Sequence, residues 1–250
     1  VVTPAEHAAD YAEALAVLPG SYQINDRERP IGQAPPRSEL GLPDSGFVFV
    51  SFNQTYKINP EVFDAWMTIL KSVPGSVLWL LAKIDDDPAI PNLRREAEMR
   101  GIDGARIVFA RHRPNPDYLA LYAHADLFLD TWPYNAHTTA SDALWAGCPV
   151  VTLLGTTFAS RVAASLVSAV GLPELICADV DAYVNKAVVL ANDVGERKRL
   201  RDWLGGPGRE QPLFDTDRTT RALEAAYREM ARQYAAGTRA SIRVEDPPRE

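Results

Sequence analysis

Residues 126–149 restrict the fold more than any other part of the chain. Leu127-Phe128-Leu129 is an apolar triplet suited to a buried strand, and Pro133 and Asn135 then turn the chain into a loop. A hydroxyl-rich segment follows, in which Thr138 or Thr139 caps a helix carrying Ala140, Leu144 and Trp145 on its apolar side; Gly147 and Pro149 stop it. Strand, loop and helix in that order form the unit of a parallel α/β sheet. The helix start offers unpaired backbone N–H groups and the positive end of the helix dipole, with two threonine hydroxyls and His137 beside it. That combination suits a phosphate, and Asp142, one turn into the helix, is within reach of a sugar hydroxyl. The same pattern also fits a capped α/β helix with no ligand, since threonine caps are common.

The rest of the chain repeats the unit. Apolar runs at residues 47–50, 77–81, 107–110, 150–154 and 174–177 read as further strands, and helical periodicity fills the intervals. Asn59-Pro60, for instance, supplies a cap and a first-turn proline to a helix with Val62, Trp66, Ile69, Leu70 and Val73 on one face. Six strands alternating with helices predict an α/β, Rossmann-like parallel sheet covered on both faces, spanning residues 44–214. Residues 1–43 read as a preceding tail, with one Ala-rich helix over 5–18, and a polar, Pro-rich linker over 21–43. Residues 215–250 read as a last long helix and a frayed end.

A formal net charge of −7 argues against nonspecific binding to nucleic acid or an anionic membrane, so a phosphorylated ligand has to be met by local groups. Cys148 and Cys177 have neither metal-ligand spacing nor disulfide density, and no apolar run approaches membrane-spanning length or a signal peptide. A reducing, cytoplasmic compartment is expected. The start at Val1 points to a chain that begins within a larger polypeptide. Asp85-Asp86-Asp87 reads as a solvated loop rather than a metal-binding acidic motif. No G-x-G-x-x-G, G-x-S-x-G or P-loop follows any strand. In open α/β sheets ligands gather at the carboxyl ends of strands, which selects the loops at 51–57, 111–118 and 131–142.

Taken together, Phe52-Asn53-Gln54-Thr55-Tyr56-Lys57, the segments Leu129-Asp130-Thr131 and His137-Thr138-Thr139-Ala140-Ser141-Asp142, and Ala159-Ser160-Arg161-Val162-Ala163 resemble the O-linked N-acetylglucosamine transferase family, including its bacterial and SPINDLY-like members. Pro212-Leu213-Phe214 also fits. The resemblance implies the C-terminal, donor-binding lobe of a GT-B glycosyltransferase. The N-terminal lobe and the tetratricopeptide repeats that guide protein acceptors would lie elsewhere in the polypeptide or in another chain. It implies inverting, metal-independent transfer of N-acetylglucosamine from UDP to protein serine or threonine, with no cofactor besides the UDP-sugar donor. Lys57 would be the catalytic group that stabilises the departing diphosphate, with Gln54 beside it; Thr138 and Thr139 would bind phosphate and Asp142 the ribose. His137 would line the donor pocket, backbone near Arg113 would read the base edge, and Tyr118 stands where the family stacks a residue on uracil. Helical spacing with Tyr122 equally allows Tyr118 to pack in the core. Tyr134 stands at the N-acetyl pocket, which leaves the sugar open. Rival readings are a nucleotide-sugar-binding module without catalysis and a protein O-fucosyltransferase using GDP-fucose.

Overall fold

The computed structural model describes residues 1–82, 84 and 87–246. Six parallel strands form the sheet: β2 (Val48–Ser51), β3 (Val77–Ala82), β4 (Ile107–Arg111), β5 (Leu127–Leu129), β6 (Val150–Leu153) and β7 (Ile176–Cys177), in the spatial order β4-β3-β2-β5-β6-β7. The helices are α1 (Pro60–Ser72), α2 (Ala89–Met99), α3 (Asn115–Leu121), α4 (Thr138–Trp145), α5 (Val162–Ala169), α6 (Val180–Asn192), α7 (Val194–Gly205) and α8 (Thr216–Ala235). Every residue of β2 is buried, as a central strand covered on both faces requires, and Phe49 pairs in register with Leu78 on one side and Leu127 on the other.

The order matters for function. From β2 the chain builds outward through β3 to β4, then returns to lay β5 on the opposite side of β2. Where the winding direction reverses, the loops leaving β2 and β5 diverge, and a crevice opens at their carboxyl ends. Beneath that crevice α1 and α6 are tied together: the Tyr183 hydroxyl donates to the Asp130 carbonyl at 2.9 Å and accepts from Trp66 Nε1 at 3.1 Å, while its ring meets Trp132 edge-on at 5.0 Å. α1 is set in place by the Asn59 side chain, which accepts from the Val62 amide, and by Pro60 at its first position.

The two ends of the chain depart from the expected pattern. Residues 5–18 are not one helix: a 3-10 segment covers Ala5–Asp10 with no buried residue, and Ala16–Val17 forms a short strand, β1. An Ala-rich amphipathic run of that length is marginal in water unless its apolar face is covered, and here nothing covers it. β1 pairs in parallel with β8 (Ile242–Arg243), and Arg218 holds Asp246 through two bonds of 2.6 Å, so the segment after Gly237 is tied down through residue 246. Asp87 is buried, and one of its carboxylate oxygens accepts from the Ala89 amide at 2.9 Å, at the start of α2. Asp85 and Asp86, the rest of the acidic run, lie outside the described residues. No helix among the described residues is long and apolar enough to cross a membrane.

Candidate functional site

The crevice is built on Asp130, which directly follows β5 and is fully buried. One carboxylate oxygen accepts from the amides of Thr131 (2.8 Å) and Ala136 (2.6 Å), the other from the Thr152 hydroxyl at 2.7 Å. These bonds fold residues 131–136 back over the strand end. Asn135 Nδ2 then donates to the Thr131 carbonyl at 2.8 Å, and the Thr131 hydroxyl donates to the Tyr134 carbonyl at 2.7 Å. Within this loop the Trp132–Pro133 peptide is cis. The result is a rigid shelf.

Lys57 reaches that shelf from β2. A 3-10 turn over Thr55–Lys57 aims its amine at the Asn135 carbonyl, 2.8 Å away, and over the Tyr134 ring, 3.9 Å from the centroid. Asn53, almost fully buried, joins the two loops: its Nδ2 donates to Thr131 Oγ1 at 3.2 Å and its Oδ1 accepts from the Thr139 hydroxyl at 2.9 Å. The contacts at Asn135 and Asn53 thus tie the Lys57 turn and the Thr138–Thr139 turn to the same two loops, those after β2 and β5. α4 starts there, with His137 before it and no side-chain cap; among the described residues the amides of Thr138, Thr139 and Ala140 find no protein acceptor. Three amides without a protein acceptor, the positive end of a helix dipole and an ammonium thus stand on neighbouring loops, the kinds of group that bind a diphosphate.

Burial lowers the Lys57 pKa, opposed by the nearby Asp130 charge. Burial likewise lowers His137, and the Lys57 charge adds to the effect, with the Ala159 backbone opposing it. Asp130 is pushed up to about 7 by burial, against the pull of its three donors and Lys57. Asp142 is raised by burial and drawn back by Arg29.

The expected site residues separate into two groups. Gln54, Lys57, Tyr134, His137, Thr138, Thr139 and Asp142 all belong to the β2 and β5 loops or the first turns of α4. Gln54 keeps its Oε1 shielded and without a partner among the described residues. Tyr134 is half exposed and meets the His137 ring edge-on at 5.2 Å. Arg113 stands on the loop after β4, a partly exposed position farther along the sheet. Tyr118 is a correction. Its ring is buried against Phe52 and Tyr122, both at 5.7 Å, and its hydroxyl bonds Tyr122 Oη at 2.9 Å, so no face is offered to a base. The four-residue spacing to Tyr122 on a helix packed against the sheet puts both rings in the core.

Four residues that shape the crevice were not singled out individually from the sequence. Asn53 and Asp130 lie inside the motifs quoted above, whereas Tyr22 and Arg29 belong to the Pro-rich linker and carry no local signal. Tyr22 Oη lies 3.1 Å from His137 Nδ1, Gln23 Nε2 reaches the Thr138 hydroxyl at 3.5 Å, and Arg29 Nη1 pairs with Asp142 Oδ1 at 2.5 Å.

This arrangement of sheet, switch point and helix start is that of one lobe of a GT-B glycosyltransferase. Among solved structures, an O-GlcNAc transferase of Thermobaculum terrenum, as a lysine-to-methionine mutant, aligns over 94% of this chain and 44% of its own with a TM-score of 0.81 and 35% identity. Anabaena Alr3699/HepE, solved with UDP and glucose, aligns over 86% of this chain and 56% of its own at a TM-score of 0.55 and 15% identity, a likeness of fold alone. In sequence, the probable UDP-N-acetylglucosamine–peptide N-acetylglucosaminyltransferase SEC of Arabidopsis thaliana is 37% identical over 94% of this chain and 25% of its own. The UDP-N-acetylglucosamine–peptide N-acetylglucosaminyltransferase of Caenorhabditis elegans is 36% identical over 80% and 17% respectively. The chain thus spans at most about a quarter of the length of these two relatives. The model of glycosyl transferase family 41 matches residues 31–223, and the chain belongs to that family.

Proposed function

We propose that this chain is the donor-binding lobe of a protein O-GlcNAc transferase, holding UDP-N-acetylglucosamine at the β2/β5 switch point for inverting transfer to serine or threonine hydroxyls. The observation that carries the reading is the placing of the Lys57 amine and the open start of α4 on neighbouring loops, in a chain whose named relatives are peptide N-acetylglucosaminyltransferases. As the glycosidic bond breaks, negative charge gathers on the diphosphate. Lys57 and the amides of Thr138 and Thr139 stand ready for that charge, with the Thr138 hydroxyl beside them and the Thr139 hydroxyl joining by exchanging its bond to Asn53, so they favour the transition state over the bound donor. That fixed positive potential takes the place of a divalent ion, and no cofactor besides the donor is needed. Asp142 accepts from the ribose, His137 and Tyr134 face the sugar side, Gln54 lies beside the diphosphate and backbone near Arg113 meets the base. The acceptor protein, the upstream lobe with its tetratricopeptide repeats and the general base are assigned to parts of the enzyme beyond this chain, and a cytoplasmic setting suits such a substrate.

Calorimetry tests the donor. UDP is expected to bind at one site, at least tenfold more tightly than GDP, with the affinity unchanged by EDTA. Tighter binding of GDP would favour a fucosyl donor, and loss of binding with EDTA would overturn the metal-free mechanism. Binding of UDP without transfer by the full-length protein would favour the non-catalytic module.

A further inference from the structure

The linker that precedes the sheet does more than connect. In chain order it touches, first, the phosphate end of the crevice, through Tyr22 at His137 and Gln23 at Thr138; next Asp142, through Arg29; and then the start of α3, just past the loop after β4, where the Gly32 amide donates to the Pro116 carbonyl at 2.9 Å. That is the sequence in which a nucleoside diphosphate would lie, from phosphate through ribose to base. Gly32 is required by the fit, since a Cβ there would stand 2.9 Å from Asp117 Oδ1 and 3.1 Å from the Pro116 carbonyl.

Arg29 is the residue that the linker brings to the ribose position. Its own carbonyl accepts from Trp145 Nε1 at 3.2 Å, its Nε donates to the Asp26 carbonyl at 3.2 Å, and its guanidinium lies 5.8 Å from the centre of the Trp145 ring. Thus held, Nη1 takes one oxygen of Asp142. Arg29 Nη2 is shielded from water and without a partner among the described residues. A buried donor without an acceptor costs stability, and a ribose hydroxyl placed between the guanidinium and the Asp142 carboxylate would supply one.

We propose that Arg29 is a specificity-determining positioning residue of the nucleotide site: it holds the Asp142 carboxylate in orientation for the ribose hydroxyls and so selects ribonucleoside diphosphates over deoxy forms. The inference rests on the donor reading above. Burial alone drives the Asp142 carboxyl toward its neutral form, in which it would lose much of its strength as an acceptor, and the guanidinium opposes that.

The test is calorimetry on the full-length protein with UDP and 2′,3′-dideoxy-UDP, for the wild type, Arg29→Lys and Arg29→Met. The wild type should prefer UDP by about tenfold or more, the Arg29→Met variant should lose about tenfold toward UDP but less than twofold toward the dideoxy form, and Arg29→Lys should regain most of the preference. Parallel loss of both affinities would make Arg29 a mere fastener of the linker and overturn the proposal, as would no change in either. A wild type that binds both nucleotides equally would overturn the ribose assignment while leaving the diphosphate site standing. A wild type that binds neither would overturn the donor reading itself and this inference with it. Should Arg29→Met fail to melt cooperatively, Arg29→Gln, which keeps a donor but not the charge, gives the same comparison.

Discussion

Replacing Lys57 with alanine is expected to slow sugar transfer by the full-length enzyme roughly 10²- to 10³-fold, about 3–4 kcal/mol in the barrier, as for loss of a single oxyanion donor. The fold should survive. What the amine gives up in the ground state is one hydrogen bond to the Asn135 carbonyl and its place over the Tyr134 ring, on a half-buried side chain. Those contacts contribute about 1 kcal/mol to stability. Steady-state kinetics alongside thermal unfolding separate the two effects: kcat should fall far more than the affinity for UDP-N-acetylglucosamine, because the charge on the diphosphate grows as the bond breaks. An enzyme that keeps its rate without this amine would have its leaving group stabilised elsewhere.

The second large effect is expected at Asp130. Its carboxylate accepts from two amides and one hydroxyl in a fully buried position, so Asp130→Ala strands three donors and should cost about 4 kcal/mol. The shelf that presents Asn135 to Lys57 would go with it, so UDP binding should fall even in whatever fraction remains folded. Asp130→Asn keeps an acceptor for the amides and separates shape from charge. The sign of the pH effect follows from the raised pKa. Between the ordinary 3.8 and about 7 the folded protein retains a proton that the unfolded chain releases, so this group's contribution is fully present below the lower value and is lost as pH rises through the upper one. Urea unfolding of the wild type should therefore show less stability at pH 8 than at pH 5 from this source. The Asn variant should lose that slope; an identical slope in both would place the titration elsewhere.

Much of the sheet was legible because its strands are buried on both faces and its helices carry ordinary caps, as at Asn59-Pro60. The strand order was not, since strand patterns name neighbours in sequence rather than in space, and it is the order that puts the crevice between β2 and β5. Local pattern failed in two instructive places, and the resemblance in a third. The Ala-rich start has helical spacing with nothing to bury it. At Tyr118 the resemblance implied stacking on a base, whereas the helical spacing with Tyr122 allowed the core position that both rings occupy. The linker has no periodicity, and its contacts join residues more than a hundred positions apart, Tyr22 with His137 and Arg29 with Asp142. The turn at Lys57 and the helix after His137 were readable from adjacent residues, but the cap was not: Thr138 and Thr139 lie inside α4, and His137 stands at its N-cap with no side-chain bond.

A crystal structure of the protein with UDP tests the position of the diphosphate most directly: its phosphate oxygens are expected within hydrogen-bonding distance of both the Lys57 amine and the Thr138 and Thr139 amides, at the strand switch point. Phosphates bound away from that cleft, with Lys57 still resting on Asn135 and no contact at the start of α4, would contradict it.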